Sequence, residues 1–278
     1  MFDALRNILN TILIIPNIIF KVLFQRLIFK NRFFKKSYLR YATFLCNNGI
    51  EPPLTICAWW QERGWANQGL SNRSPDLKHY LVCDDSTERL FEATLPLIGK
   101  DANILEIGCN AGRHLNYLYE KGYRNLTGIE VAPKAIEIMD VHFPEMSKNI
   151  KKITGNAAKI LQTLEPKSYD LVFSHSVLVN ISPTYNHIFK EMCRVCKGYI
   201  ATFENEDTVT AYPRDFQRMF ERYGFKMVLS KSFVRAKENR ALICPDKITD
   251  GVKHLVLRVF GENKLSTDRS IKHDTQEL

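Results

Sequence analysis

The sequence predicts an α/β fold, a doubly wound and mostly parallel sheet with helices on both faces, and three observations carry that expectation. Asn103 to Ile107 is a short, mostly apolar run of the kind found in a central strand covered on both faces. It is followed by a glycine turn at Gly108 to Gly112 and then by helical spacing of Leu115, Leu118 and Tyr119, closed by Lys121-Gly122. A second strand, Leu126 to Ile129, ends on Glu130, and strand-like runs alternate with helical ones from there to about residue 245. In such a sheet ligands bind outside the carboxyl ends of the strands, so Gly108, Gly112 and Glu130 converge on one crevice.

The chain of 278 residues leaves room for appendages around that sheet, and 45% hydrophobic residues suffice for a sizeable core. Residues 1–45 form a basic, apolar arm. Between Asp3 and Glu51 there is no acid, against Arg6, Lys21, Arg26, Lys30, Arg32, Lys35, Lys36 and Arg40, so nearly all of the net charge of +9 sits there. The near-neutral remainder counts against an RNA or DNA substrate, whose binding domain would carry basic surface around its crevice. The apolar stretch Ile8 to Phe20 is short of the roughly 20 residues of a membrane span, and extending it takes in Lys21 and Arg26. No small-residue cleavage site stands after it. The arm reads as an interfacial helix, its apolar side in the headgroup boundary and its basic side on anionic lipid. The alternative is a helix packed on the rest of the chain or on a second copy. A spanning arm would keep the sheet domain on the cytoplasmic side, because the basic excess lies on the arm's carboxyl side. Seven scattered cysteines, with no convincing secretory signal, agree with a reducing cytoplasmic setting.

Residues 46–99 form a helical region. Asn48-Gly49 and Pro52-Pro53 separate it from the arm, Trp59, Trp60 and Trp65 cluster, a polar loop runs from Asn67 to Pro75, and Ser86 to Ile98 has an amphipathic helical pattern.

The glycine turn distinguishes two cofactor classes. A dinucleotide site needs G-x-G-x-x-G, and its third glycine would fall on Arg113, so that pattern fails. The spacing Glu106-x-Gly108-x-Asn110-x-Gly112 instead resembles the E/D-x-G-x-G-x-G signature of class I S-adenosylmethionine-dependent methyltransferases. Asn110 departs from the usual glycine, mildly, because Asn tolerates left-handed backbone angles. The later motifs come in the family's order. Ala132-Pro133 opens a helix, Lys151 to Thr154 is the third strand and Gly155-Asn156-Ala157 stands where the family often has G-D-A. Tyr169 to Ser174 is the fourth strand, with a loop to Pro183. Tyr185 to Cys196 is a helix, Gly198 to Phe203 the fifth strand with Glu204 at its end, and Arg214 to Tyr223 a helix.

The resemblance spans residues 100–245 and implies a seven-stranded sheet with one antiparallel edge strand. Its last strands would be Phe225 to Ser230 and Arg240 to Cys244, before a C-terminal extension, 246–278, polar from Glu262. It implies S-adenosylmethionine as cofactor. Glu106 would orient the loop and the bound ammonium. Gly108, Asn110 and Gly112 would let backbone approach the amino-acid portion. Glu130 would accept the ribose hydroxyls. Asn156 with Ala157 would contact adenine, unless Asn156 is only a turn residue. Ser174, His175 and Ser176 would stand where donor and acceptor meet. Residues 46–99 would cover the site, although the tryptophans equally suit ordinary packing. No N-P-P-Y or D-P-P-Y stands after the fourth strand, which makes adenine or glutamine nitrogen a poor acceptor. His175 is the first candidate for a base, with shaping of the pocket as its alternative; His187 and Glu204 come after it. Asp170 has a structural or cofactor-side role. Cys193-x-x-Cys196 lacks the second pair of a zinc site. The expected function is methyl transfer to a small-molecule, lipid-linked saccharide or quinone-like acceptor at the cytoplasmic membrane face. A protein or RNA acceptor, or a catalytically silent cofactor-binding scaffold, are the other readings.

Overall fold

The structure, a computed structural model, describes residues 32–52, 78–206, 211–235, 242–243 and 254–262. The apolar run of the arm before residue 32, the three tryptophans and the polar loop 67–75 lie outside these residues.

Five strands are parallel: β1 (Ile104–Ile107), β2 (Leu126–Glu130), β3 (Lys151–Thr154), β4 (Tyr169–His175) and β5 (Cys196–Glu204). Their order is β3-β2-β1-β4-β5, so the chain winds outward from β1 in one direction and then from β4 in the other. The crevice between these halves is the switch point of a doubly wound sheet. β1 ends level with both neighbours, Ile107 lying opposite Ile129 on one side and Ser174 on the other.

Past β5 the sheet continues with β6 (Phe225–Arg235), β7 (Leu242–Ile243) and β8 (His254–Glu262). β8 lies between β5 and β6, antiparallel to both, and β7 is an outermost two-residue pair on β6. The described residues thus hold seven strands of four residues or more, as expected, with the antiparallel strand toward the edge. The segment that fills the antiparallel place differs from the sequence reading. Of Arg240 to Cys244 the described residues Leu242–Ile243 pair with β6 at the outside, whereas residues 254–262, beyond the expected boundary at 245, insert into the sheet. Their pattern explains why: Leu255, Leu257 and Val259 enter one core, and Arg258 between them stays toward the other face to bind Glu206 at 2.7 and 2.8 Å.

The helices are α1 (Arg32–Asn47), α2 (Asp85–Thr94), α3 (Arg113–Glu120), α4 (Pro133–His142), α5 (Pro144–Asn149), α6 (His187–Val195) and α7 (Phe216–Glu221), with a single turn at Lys78–Leu81 and another at Ala157–Ile160. Alternation along β4 feeds two cores. Leu171 and Phe173 pack with Leu90 and Phe91 of α2 and Leu115 and Leu118 of α3; Val172 packs with Ile188 and Phe189 of α6 and Phe216 and Phe220 of α7. Each such fully buried side chain contributes about 1.5–3 kcal/mol.

In α1, Tyr38, Ala42 and Cys46, four residues apart, form the buried stripe. The carboxyl end of α1 is tied to the loop after β4: Asn186 Nδ2 donates to the Cys46 carbonyl at 2.6 Å, and the Ser182 hydroxyl donates to Glu51. Phe33, Phe34 and Phe44 remain 56%, 43% and 62% exposed beside Lys35, Lys36 and Arg40. Among the described residues no helix is long and apolar enough to cross a membrane.

Candidate active site

A cavity of about 610 Å³ opens at the carboxyl ends of β1, β2 and β4, where the switch point places it. The glycine turn forms its floor. Gly108 has φ +74°, and a Cβ there would strike the side chain of Val177. Asn110 takes the left-handed angle expected of it, φ +47°, and its Oδ1 accepts from the Ala111 N–H at 2.7 Å. Gly112 (φ +84°) stands one layer back. It caps α3 and is packed so closely that a Cβ would lie 2.8 Å from Met139 Cγ, so it shapes the turn without lining the cavity.

Two buried carboxylates face the cavity. Glu130, 8% exposed, accepts the Asn110 N–H on Oε2 and the Ala132 N–H on Oε1, both at 2.9 Å. These bonds tie the end of β2 to the glycine turn, and each oxygen keeps acceptor capacity for a vicinal diol. Burial raises the Glu130 pKa, against the pull of those N–H groups. Glu106 contacts His114 Nδ1 through Oε1 at 2.7 Å, while its buried Oε2 has no hydrogen-bond partner. Burial pushes its carboxyl well above the usual range, opposed by the Arg113 cation. A buried carboxylate oxygen without a donor, in the wall of a cavity, fits a bound ammonium.

At the end of β4 the expected residues separate. His175 lines the cavity. Ser174, expected beside the cofactor, is fully buried and gives its hydroxyl to Glu204 at 2.9 Å; it is not among the lining residues. Strand alternation is the reason, since neighbouring side chains point to opposite faces. Glu204 is likewise removed from the candidate bases. Its carboxylate accepts from Val177 and Leu178 N–H groups at 3.1 and 3.0 Å, and so fastens the loop after β4. His187, at the start of α6, does not line the cavity either. Asp170 sits at the opposite end of β4, bonded to the Asn103 N–H at 2.9 Å and to Lys197 at 3.1 Å, which is a structural role.

Residues 104–198 match the methyltransferase domain family. The chain carries a class I S-adenosylmethionine-dependent methyltransferase domain. No curated protein is significantly similar to the chain in sequence. Among solved structures, a protein of Galdieria sulphuraria assigned provisionally as a sarcosine dimethylglycine methyltransferase superposes with a TM-score of 0.51 at 16% identity, over 64% of this chain and 86% of that one. A protein described for the conversion of a disulfide bond into a thioacetal group during echinomycin biosynthesis gives 0.52 at 15% identity, over 74% and 91%. A geranyl diphosphate methyltransferase, solved with GPP and sinefungin, gives 0.50 at 11%, over 63% and 76%. At these identities the likeness is one of fold.

In this methyltransferase Asn156 and Ala157 both line the cavity. Asn156 also caps the turn after it, its Oδ1 accepting the Ala158 N–H at 2.9 Å, which is the turn role. Cys193 and Cys196 are buried thiols, and burial pushes Cys196 up to about 12. Several polar residues of the site are not among the candidate site residues of the sequence reading. Tyr80 and Asp84 reach the cavity from before α2, and Arg113 and His114 from the start of α3. Arg113-His114 directly after the glycine turn is the one local signal that points to any of them.

The raised pKa of Glu204, about 7 through burial, makes a stability prediction. The folded enzyme binds this proton more tightly than the unfolded chain, whose ordinary value is 4.5. The contribution of Glu204 to stability is therefore fullest below that value and is lost as pH rises through about 7, a change of ~3 kcal/mol. Glu204→Gln should abolish that part of the slope in urea unfolding measured across this range; parallel profiles for both proteins would refute the assignment.

Proposed function

We propose that the enzyme transfers the methyl group of S-adenosylmethionine to a small-molecule, lipid-linked saccharide or quinone-like acceptor at the cytoplasmic face of a membrane. The observation that carries the donor half is the pairing, in one cavity, of the partnerless Glu106 Oε2 with the turn-anchoring carboxylate of Glu130. Glu106 takes the ammonium, with the Arg113 cation nearby for the carboxylate; Glu130 takes the ribose hydroxyls; Asn156 and Ala157 take the adenine side. When bound, the cofactor supplies a methyl group already activated on a positive sulfur. What remains for the protein is to align the acceptor, exclude water and, for an acidic nucleophile, remove a proton. His175, at the end of β4, is the base in this reading.

The acceptor and membrane halves rest on α1 and the loop behind it. Loop residues Asn180, Ile181 and Tyr185 line the cavity, and the same loop is bonded to the end of α1. Exposed Phe33, Phe34 and Phe44 among Lys35, Lys36 and Arg40 suit α1 to an anionic bilayer surface. A screen of metabolites and lipid extracts with labelled methyl donor tests the acceptor class. Vesicle flotation tests the membrane. The full chain should float with anionic vesicles, and a chain lacking residues 1–31 and carrying Phe33→Ser and Phe34→Ser should stay below. Flotation of the altered chain would exclude the arm as the anchor.

A further inference from the structure

Two histidines meet beside the cavity, their ring centroids 5.0 Å apart, and they are held differently. His114 is engaged at both nitrogens, with Nδ1 on Glu106 Oε1 at 2.7 Å and Nε2 on Arg113 Nε at 3.2 Å. Arg can only donate, so His114 is neutral and carries its proton on Nδ1. His175 is reached from the covering helix. Its Nε2 lies 2.9 Å from the hydroxyl of Ser86, a residue 89 positions earlier in the chain, and that hydroxyl also meets Asp84 Oδ1. A carboxylate accepts and does not donate, so the Ser86 proton is directed at Asp84 and Ser86 turns a lone pair to His175. This chain places a proton on Nε2 of His175 and leaves Nδ1 as its basic nitrogen. Ser86 is fully buried, and Asp84 and His175 both line the cavity.

Resting on the methyl-transfer reading above, we propose that Asp84 and Ser86 are positioning residues for His175, that His175 takes the proton of an acceptor hydroxyl, and that the acceptor is methylated on that oxygen. In the step, the oxygen–methyl bond forms from an oxygen lone pair as the sulfur–methyl bond breaks, with that bond's electron pair left on sulfur. The hydroxyl proton passes to Nδ1 of His175, and the imidazolium is stabilised by Asp84 through Ser86. The positive charge that began on sulfur ends on the imidazolium.

The groups around His175 act on its basicity. Burial is the largest influence, and it lowers the pKa well below the ordinary value; His114 and Arg113 on α3 act the same way, while Asp84 and the residue's own backbone oppose them. Glu106 stands one residue further, behind His114. A neutral amine attacks without losing a proton first, so a built proton acceptor points to oxygen.

Asp84 also caps α2 through the N–H groups of Ser86 and Thr87, at 3.0 and 3.3 Å. Asp84→Asn separates the two roles, since Asn caps as well as Asp but carries no charge. The full-length protein would be studied as wild type, Asp84→Asn, Ser86→Ala and His175→Gln. Readouts are the melting temperature, S-adenosylhomocysteine affinity by calorimetry, the imidazole titration of His175 by NMR (assigned by its loss in His175→Gln), and methyl transfer to a panel of phenols, β-diketone enols and matched amines. In Asp84→Asn the melting temperature and the affinity should hold. The His175 midpoint should fall by about half a pH unit or more, because a stabilising negative charge is gone. Phenol or enol methylation should drop about tenfold or more, with the rising limb of its pH profile moved the same way. Ser86→Ala should reproduce the titration change. An unmoved His175 midpoint in both variants would overturn the relay, even with no turnover on the panel. Methylation of the amines alone, at full rate in His175→Gln, would overturn the oxygen acceptor. Absence of S-adenosylhomocysteine binding by wild type would instead overturn the donor reading.

Discussion

Glu130→Ala is expected to weaken S-adenosylhomocysteine binding by about 100- to 1,000-fold in calorimetry. Hydrogen bonds to a charged acceptor contribute about 1.5–3 kcal/mol each, and a ribose diol offers two. The same substitution removes the partner of the Asn110 and Ala132 N–H groups, which both bond this carboxylate at 2.9 Å. The glycine turn therefore loosens together with the ribose contact, and stability should fall by about 1–3 kcal/mol. Glu130→Gln retains one acceptor oxygen and the packing, so it should lie between alanine and wild type. Binding should also weaken on acidification, at a higher pH than for an ordinary carboxylate, because burial raises the Glu130 pKa and protonation removes acceptor capacity. Equal affinity in wild type and alanine variant would remove Glu130 from the site.

What makes Glu130 visible in the sequence also explains what stays hidden there. Glu106, Gly108, Asn110 and Glu130 act within one strand–turn–helix–strand unit, where spacing along the chain fixes geometry in space. The left-handed angle at Asn110 is readable from residue type alone. Ser174 is misplaced by the sequence because an apolar run buried on both faces does not reveal which of two adjacent side chains faces the crevice. The strand beside β5 is misassigned for a related reason. Residues 240–244 and 254–262 both have strand character, and only tertiary packing against β5 selects 254–262. Asp84 and Ser86 carry no signal of a site, since D-x-S before an amphipathic helix is fully explained as a cap. Their partner, His175, is 89 residues away, a distance over which one sequence supplies no register.

Arg214 is the residue whose loss should cost the most stability. It is 3% exposed, and the sequence makes it only the first residue of a helix, which begins in the structure at Phe216. Its guanidinium donates to the carbonyls of Leu178 and Ile181 and, through Nε, to Asn186 Oδ1 at 3.0 Å. These acceptors are distributed along the loop between β4 and α6, which has little regular structure to satisfy them otherwise. The five donors of a planar fork suit such divergent acceptors, and a lysine point charge would not reach all of them. Arg214→Met fills a similar volume and removes the donor to the Ile181 carbonyl and to Asn186 Oδ1, while the Leu178 carbonyl keeps the Ile181 N–H. The relief from burying a cation offsets part of the loss, and a net destabilisation of about 3–5 kcal/mol remains. For a domain of this size that lowers the melting temperature by roughly 10 °C. Arg214→Lys should fall between. Because the loop carries Asn180, Ile181 and Tyr185 into the cavity, Arg214→Lys should also raise the acceptor KM while donor affinity, set at β1 and β2, stays at the wild-type level. A melting temperature unchanged in Arg214→Met would mean that the loop is held by its ties to α1 and to Glu204, and that Arg214 is redundant to them.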